Sequence, residues 1–261
     1  MADFSIILVS HNKPKYVKEA VQCVLDQTHN NWEMFLVDSG VLLQKGFFDY
    51  VTDKRITILS SGETSEIANS KNMASWCFNK ILNSDKLTGE LIMYFCDDDI
   101  LYKNAFEIFW MYYVEHAREP QAMYASQDVG LVGLDGTTKI IGRRIADRPA
   151  GRYCKGKKLD CRVDNLQFCH TRAILGRLKD VYHTTQYHSE DKNDAWHADG
   201  IFFEQVGSLT KVHNINKLVS MNRRTTDSSN LQYSDSRAGR LLITIKEKLK
   251  GLQRKLTDRR I

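Results

Sequence analysis

The sequence predicts an α/β fold with a mostly parallel central sheet flanked by helices. Three observations carry this reading. Apolar runs of strand length recur through the first hundred residues, stretches of helical spacing separate them, and short polar segments end them. A strand buried on both faces reads as such a run, because side chains pointing either way meet core.

Phe4 to Val9 is the first run, followed by the polar loop Ser10-His11-Asn12-Lys13-Pro14-Lys15. Val17, Ala20, Val21, Val24 and Leu25 then recur with helical period through Gln27. Asn12 or Lys13 precedes the first turn, and Pro14 suits a helix start because the N–H it lacks has no intrahelical partner there. Glu33 to Val37 is a second strand, ended by Asp38-Ser39-Gly40; Ile56 to Leu59 is a shorter third. Glu66 to Leu82 is helical by pattern, and Leu91 to Phe95 is a fourth strand. Further on, Leu134-Asp135-Gly136-Thr137 reads as a hairpin turn between short strands. In open α/β sheets ligands bind beyond the carboxyl ends of the strands. Ser10–Lys13, Asp38-Ser39 and Cys96–Asp99 all fall at such ends, so three polar segments are expected at one rim.

With 261 residues, 42% hydrophobic and 26% charged, the chain can bury a core without staples, and a collagenous or disordered class is excluded. No apolar run approaches the roughly 18 residues of a membrane span. The start, Met1-Ala2-Asp3-Phe4, lacks the basic and apolar pattern of a secretion signal, so the expected compartment is the cytosol. Six cysteines show no C-x-x-C spacing. Cys154, Cys161 and Cys169 with His170 match no structural zinc pattern, and His183, His188 and His197 have no spacing that fixes them on one helical face. Charge is uneven: residues 237–261 hold nine Lys/Arg and two Asp/Glu, the rest 28 and 30. The body is therefore not a nucleic-acid binder. In the tail, Leu241, Leu242, Ile245, Leu249, Leu252 and Leu256 recur at helical steps opposite basic residues. Such a helix packs on its own domain, or rests on anionic lipid as a peripheral contact at the inner face of the membrane.

There is no G-x-G-x-x-G, no G-x-x-x-x-G-K-[ST] and no G-x-S-x-G, so dinucleotide, P-loop and nucleophile-elbow readings fall away. Asp97-Asp98-Asp99 is the most informative feature. Three adjacent carboxylates at a buried strand end repel unless a cation or donors neutralise them. Hard divalent cations take carboxylate oxygen and keep places for substrate phosphate.

Ser5 to Val17, Val24 to Thr28, Trp32 to Asp38 and Gly89 to Asp99 together resemble family 2 glycosyltransferases, within the family most nearly the members that make spore-coat polysaccharide. The likeness is strong over about residues 3–110 and continues weakly at Cys161–Asn165 and His197–Phe203. It implies a GT-A fold with a Rossmann-like sheet: a nucleotide-sugar-binding half at 1–110, an acceptor-binding half at 111–235 and a basic amphipathic helix at 236–261. It implies an inverting, metal-dependent transferase that moves a sugar from a UDP- or dTDP-sugar to a hydroxyl acceptor on a glycan. Ser10, His11, Lys13, Asp38, Ser39, Lys71, Asp97 and Asp98 take the nucleotide positions, with His11 where an aromatic residue commonly stacks on the base. Ser39 stands where the family usually has a second acid, which leaves the nucleobase open. Asp99 with Asp98 takes the place of the Mn²⁺ or Mg²⁺ ligands. Asp199 matches the base position, Asp164 is the second candidate, and Arg223 and Arg224 correspond to a loop that closes over the donor diphosphate. Glu190, Asp191 and Asp194 read as a solvated polar loop. Two other classes stay open at this point: a nucleotide- or sugar-binding protein with weak catalysis, motivated by His11 and Ser39, and a nucleotidyltransferase, disfavoured because the first loop has no glycine run.

Overall fold

The structure, a computed structural model, describes residues 1–62, 65–133, 135–144, 159–160, 162–195 and 197–225. Expectations placed on Leu134, Cys154, Cys161 and the tail at 236–261 lie outside the described residues. Contacts divide the chain into two units, Met1–Asp128 with Arg143–Asn222, and Val129–Gly142 with the chain from Arg223 onward.

The chain opens with β1 (Phe4–Ser10), α1 (Pro14–Leu25), β2 (Trp32–Asp38) and β3 (Ile56–Ser60). Next come α2 (Ser65–Ser70), α3 (Met73–Leu82), β4 (Leu91–Cys96), β5 (Ile100–Leu101) and α4 (Ala105–Glu115). Then follow β6 (Ala122–Val132), β7 (Thr138–Arg144), β8 (Phe168–Thr171), α5 (Ala173–Tyr182), α6 (Ala198–Leu209) and β9 (Val212–Arg224). Among the described residues these strands form one sheet in the order β3-β2-β1-β4-β8-β6-β9-β5, with β7 paired to β6.

The block β3-β2-β1-β4 is parallel, and its register sets the rim. Ser10 lies opposite Asp38, and Val9 lies opposite both Val37 and Cys96. The polar residues that follow each strand therefore emerge at one level. From β4 onward, β4 with β8, β8 with β6 and β9 with β5 pair antiparallel.

The apolar runs are continuous because the sheet is covered on both faces. Phe4, Ile6 and Leu8 point to a core with Val17, Val21 and Val24 of α1 and Phe106 and Phe109 of α4. Ile7 and Val9 point to the other core, with Cys77 and Phe78 of α3, Leu178 of α5, and Phe202 and Phe203 of α6. Pro14 opens α1, with Lys13 as the capping residue. The hairpin between β6 and β7 turns at Gly136, whose φ of 81° suits glycine.

Two expectations change. The helix read over Glu66 to Leu82 breaks at Lys71-Asn72. Lys71 forms a bridge with Asp191, and the Asn72 N–H donates to the Glu190 carbonyl at 2.8 Å. This tertiary pairing outweighs local helical propensity. Glu190 is accordingly buried rather than solvated; its carboxylate takes Lys71 Nζ at 2.6 Å and Asn79 Nδ2 at 3.0 Å.

Under the sheet lie His170 and His188, fully enclosed with Tyr94, Phe78 and Phe202. The Thr171 carbonyl accepts from His170 Nδ1 at 2.8 Å, so the Tyr94 hydroxyl, 2.6 Å from Nε2, is the donor there. Burial lowers His170 to about 4; burial, then the neighbouring His170, lowers His188 to about 3. The unfolded chain, with histidine near 6.5, binds these protons first, so stability is complete above about 6.5 and is lost as pH falls toward 4 and 3. We expect the unfolding midpoint in denaturant to drop over that window, and His188→Phe to flatten the drop while the protein stays folded at pH 7. An identical slope in the variant would contradict this assignment.

Candidate active site

The loop after β1 is tied to the end of β4. The His11 N–H donates to Asp97 Oδ2 at 2.8 Å, and Lys13 Nζ lies 2.8 Å from Asp98 Oδ2 and 3.3 Å from Asp97 Oδ1. Asn12 adopts a left-handed φ of 53°, and its Oδ1 accepts the Val41 N–H at 3.0 Å. That approach needs Gly40, since a Cβ there would collide with the Asn12 side chain. Asp38 is buried, its Oδ1 accepting the Gly40 N–H at 3.2 Å and its Oδ2 the Leu43 N–H at 2.8 Å. The Ser39 hydroxyl donates to the Ser10 carbonyl at 3.0 Å. His11 Nδ1 lies 3.0 Å from the Ser39 carbonyl oxygen, which only accepts, so Nδ1 carries a proton and Nε2 of the neutral ring is an acceptor. The ring itself is exposed.

Asp97, Asp98 and Asp99 are all buried. Burial pushes the Asp97 carboxyl up; Lys13 pulls it down and Asp98 pushes it up again. Burial pulls the Lys13 ammonium down, but Asp98 and Asp97 more than offset this and leave it above its ordinary value. Asp99 Oδ1 accepts from Asn222 Nδ2 at 3.1 Å. The Cys96 thiol is pushed up by burial and then by Asp99, Asp98, Asp164 and Asp97, which places Asp164 within electrostatic reach of the same strand end.

Asp164 and Asp199 differ in their surroundings. Asp164 Oδ2 accepts from Arg144 Nη1 at 2.7 Å, and its Oδ1 caps the short turn Asn165–Gln167. Asp199 stands in the first turn of α6, whose Phe202 and Phe203 are buried, and its Oδ1 accepts the Gly200 N–H at 2.9 Å. Burial pushes its carboxyl up to about 7; Asp164 and Asp160 add to the rise, while the Gly200 N–H and Arg144 oppose it. Asp160 comes close to the helix start because Gly200 has no Cβ to block it, and its Oδ1 lies 3.2 Å from His197 Nδ1. The Arg144 guanidinium feels Asp164, Asp199 and Asp99 together, so one cation relates both candidate bases to the acidic strand end.

Other anticipated residues have surroundings of their own. Lys71 is taken up by Glu190 and lies over the Trp76 ring. Arg223 and Arg224 end β9 and belong to the second unit. Cys169 and His170 are buried in β8, and His188 sits in the aromatic core. Arg144, Gln127, Asn222 and Asp160 were missed by sequence reasoning. Only the Arg143-Arg144 doublet after a predicted turn offered a signal. Among the described residues, no three or more His, Cys, Asp or Glu side chains group around a metal position; the carboxylates of Asp98 and Asp99 supply hard oxygen donors of the kind Mg²⁺ and Mn²⁺ take.

Residues 5–119 match the model of glycosyl transferase family 2. Protein CgeD of Bacillus subtilis (strain 168) is 26% identical over 229 residues, covering 86% of this chain and 50% of that protein. The chain thus spans about half the length of this curated relative. Crystal structures of S. aureus TarS 1-349 are similar in fold. The complex with UDP-GlcNAc aligns at a TM-score of 0.59 and 14% identity, over 90% of this chain and 62% of that chain. The complex with UDP aligns at 0.54 and 13%, over 94% and 65%. The match over residues 5–119 agrees with the resemblance read in the sequence, and the fold is GT-A, as that resemblance implied.

Lys13→Ala leaves two buried carboxylates without their ammonium. We expect it to destabilise the fold by about 2 kcal/mol at pH 7.5, the scale of a hydrogen-bonded charge, and by less at pH 5, where Asp97 takes up a proton more readily. Equal losses at both pH values in urea unfolding would count against this pairing.

Proposed function

We propose that the chain is an inverting, metal-dependent glycosyltransferase that uses a UDP- or dTDP-sugar and a hydroxyl acceptor on a glycan. The observation that carries the reading is Asp199: a carboxylate held near neutral pKa, related through Arg144 to the acidic end of β4. The TarS complexes, with UDP and UDP-GlcNAc on the same fold, support a nucleotide-sugar donor.

In this reading the donor lies along the rim. His11 meets the base, by its ring face or by Nε2. Asp38 and Ser39 shape the loop beneath it, and Lys13 with Asp97 and Asp98 borders the ribose. Ser39 stands where the family's second acid would be, and its hydroxyl proton already serves Ser10, so selection among bases falls more heavily on His11. Arg223 and Arg224 are the proposed diphosphate contacts.

A divalent cation fits the charge at the strand end. Asp97, Asp98 and Asp99 bring three buried carboxylates, and Lys13 pairs with Asp97 and Asp98. Mg²⁺ is commonly bound by one or two carboxylates together with substrate phosphates, so no larger protein cage is required. Asp99 and Asp98 would hold it, and it would stabilise the negative charge that develops on the departing diphosphate. The acceptor hydroxyl oxygen forms the new bond to the anomeric carbon while the bond from that carbon to the diphosphate oxygen breaks. The electron pair leaves with the nucleoside diphosphate, the hydroxyl proton passes to Asp199, and attack opposite the leaving group inverts the centre. Asp164, committed to Arg144, is the weaker candidate for the proton.

Thermal-shift titration with UDP, dTDP, GDP and ADP, each with and without Mn²⁺, should show a metal-dependent rise with UDP or dTDP, since a ligand of the native state stabilises it by mass action. Absence of any shift in a folded sample would reject the donor site. Asp99→Asn should abolish metal-dependent turnover, and unchanged turnover would remove Asp99 from that role. Asp199→Asn should lower kcat about 10²-fold or more, the usual scale for a general base. The unsubstituted enzyme should lose kcat/KM as pH falls below about 7, because the base must be ionised to accept a proton. A near-normal rate in Asp199→Asn would transfer the role to Asp164.

A further inference from the structure

Arg143 and Arg144 are neighbours on β7, and successive side chains of a strand face opposite ways. Arg143 Nε donates to Asp128 Oδ1 at 2.7 Å, where the Tyr102 hydroxyl also donates to Oδ2 at 2.7 Å. Arg144 Nη1 instead donates to Gln127 Oε1 at 3.0 Å and to Asp164 Oδ2 at 2.7 Å. Gln127 Nε2 closes the triangle on Asp164 Oδ1 at 3.4 Å. Asp164 is further held as a cap: its Oδ1 takes the Leu166 N–H, and its own N–H donates to Gln167 Oε1 at 3.0 Å. Both oxygens of Asp164 are therefore committed. Asp199 has, among the described residues, the Gly200 N–H as its hydrogen-bond partner.

We infer that Arg144 is the positioning residue that divides the two acceptor-side carboxylates: it ties Asp164 into a frame with Gln127 and leaves Asp199 to take the acceptor proton. This inference rests on the transfer reaction proposed above. The charged groups around Asp199 are Asp164, Arg144 and Asp160, with His197 on Asp160. Arg144 answers Asp164 directly and Asp199 at longer range. Without it, Asp164 stands as an uncompensated negative charge beside Asp199, and both carboxylates hold protons more tightly. Asp199 then remains protonated at neutral pH and cannot accept another.

The test uses the full chain with Arg144→Gln, Arg144→Lys and, as a control on the other face of the strand, Arg143→Gln. Two readouts are followed: the Asp199 titration by carboxyl ¹³C NMR, assigned with Asp199→Asn, and the pH profile of kcat/KM. In Arg144→Gln the Asp199 midpoint should rise by about one unit or more, the scale of removing a close opposite charge. The rising limb of kcat/KM should move with it, while KM for the donor stays put. Arg144→Lys keeps the charge and loses the planar fork, so it should hold the midpoint near the original and lower kcat. It also serves as the readout if the glutamine variant does not fold. Arg143→Gln should leave the profile unchanged. An unmoved midpoint and limb in folded Arg144→Gln, or the same shift from Arg143→Gln, would overturn the inference. Absence of transfer by the unsubstituted chain, with the midpoint still moving, would instead overturn the transferase reading and leave the division of the carboxylates standing.

Discussion

Negative charge buried at the end of a parallel sheet is the constraint on which the rest of this molecule turns. Asp38 and the triplet Asp97–Asp99 are all withdrawn from water. An ionised carboxylate tolerates this only when cations or hydrogen-bond donors replace its hydration. The donors come from separate parts of the chain: His11 and Lys13 after β1, Gly40 and Leu43 after β2, and Asn222 on β9. Each compensating contact also fixes a loop. The rim is thus shaped by the requirement that every buried carboxylate be answered, and its precise geometry follows from where the donors must reach.

The sheet makes that rim possible. Because β1, β2 and β4 run parallel and in register, three loops leave at one level without any special local sequence. Because both faces are covered, the strand ends have a rigid base. The face holding Tyr94, Phe168 and Phe202 also anchors α6, so the core that stabilises the sheet sets the position of Asp199. Packing and chemistry are linked there through two adjacent turns of one helix.

What was legible in the sequence follows from this physics. The strands β1 to β4 announce themselves because two-sided burial demands unbroken apolar runs, and the rim follows from strand order alone. Features made by distant partners were silent. Lys71 and Glu190 are 119 positions apart, so no local pattern signals that their pairing breaks a helix. Asn222 and Asp99 are 123 apart. Asp164 and Asp199 could be read as a pair of candidate acids by resemblance. The resemblance also put Asp199 ahead of Asp164, but the Arg144 contact that sets their surroundings apart was not legible.

Burial acts on both sides of the site, and a different cation answers it on each. Burial raises the proton affinity of any carboxylate. At the end of β4, Lys13 opposes that rise at Asp97 without cancelling it. At the start of α6 the opposition is weaker, from one N–H and a guanidinium occupied elsewhere, and Asp199 is left near neutrality, where a base both ionises and binds a proton usefully. Had Lys13 stood beside Asp199, that carboxylate would be a poor acceptor. Without Lys13, Asp97 would hold its proton more tightly still. The placement of two cations, one on each side, is what gives similar acids different surroundings.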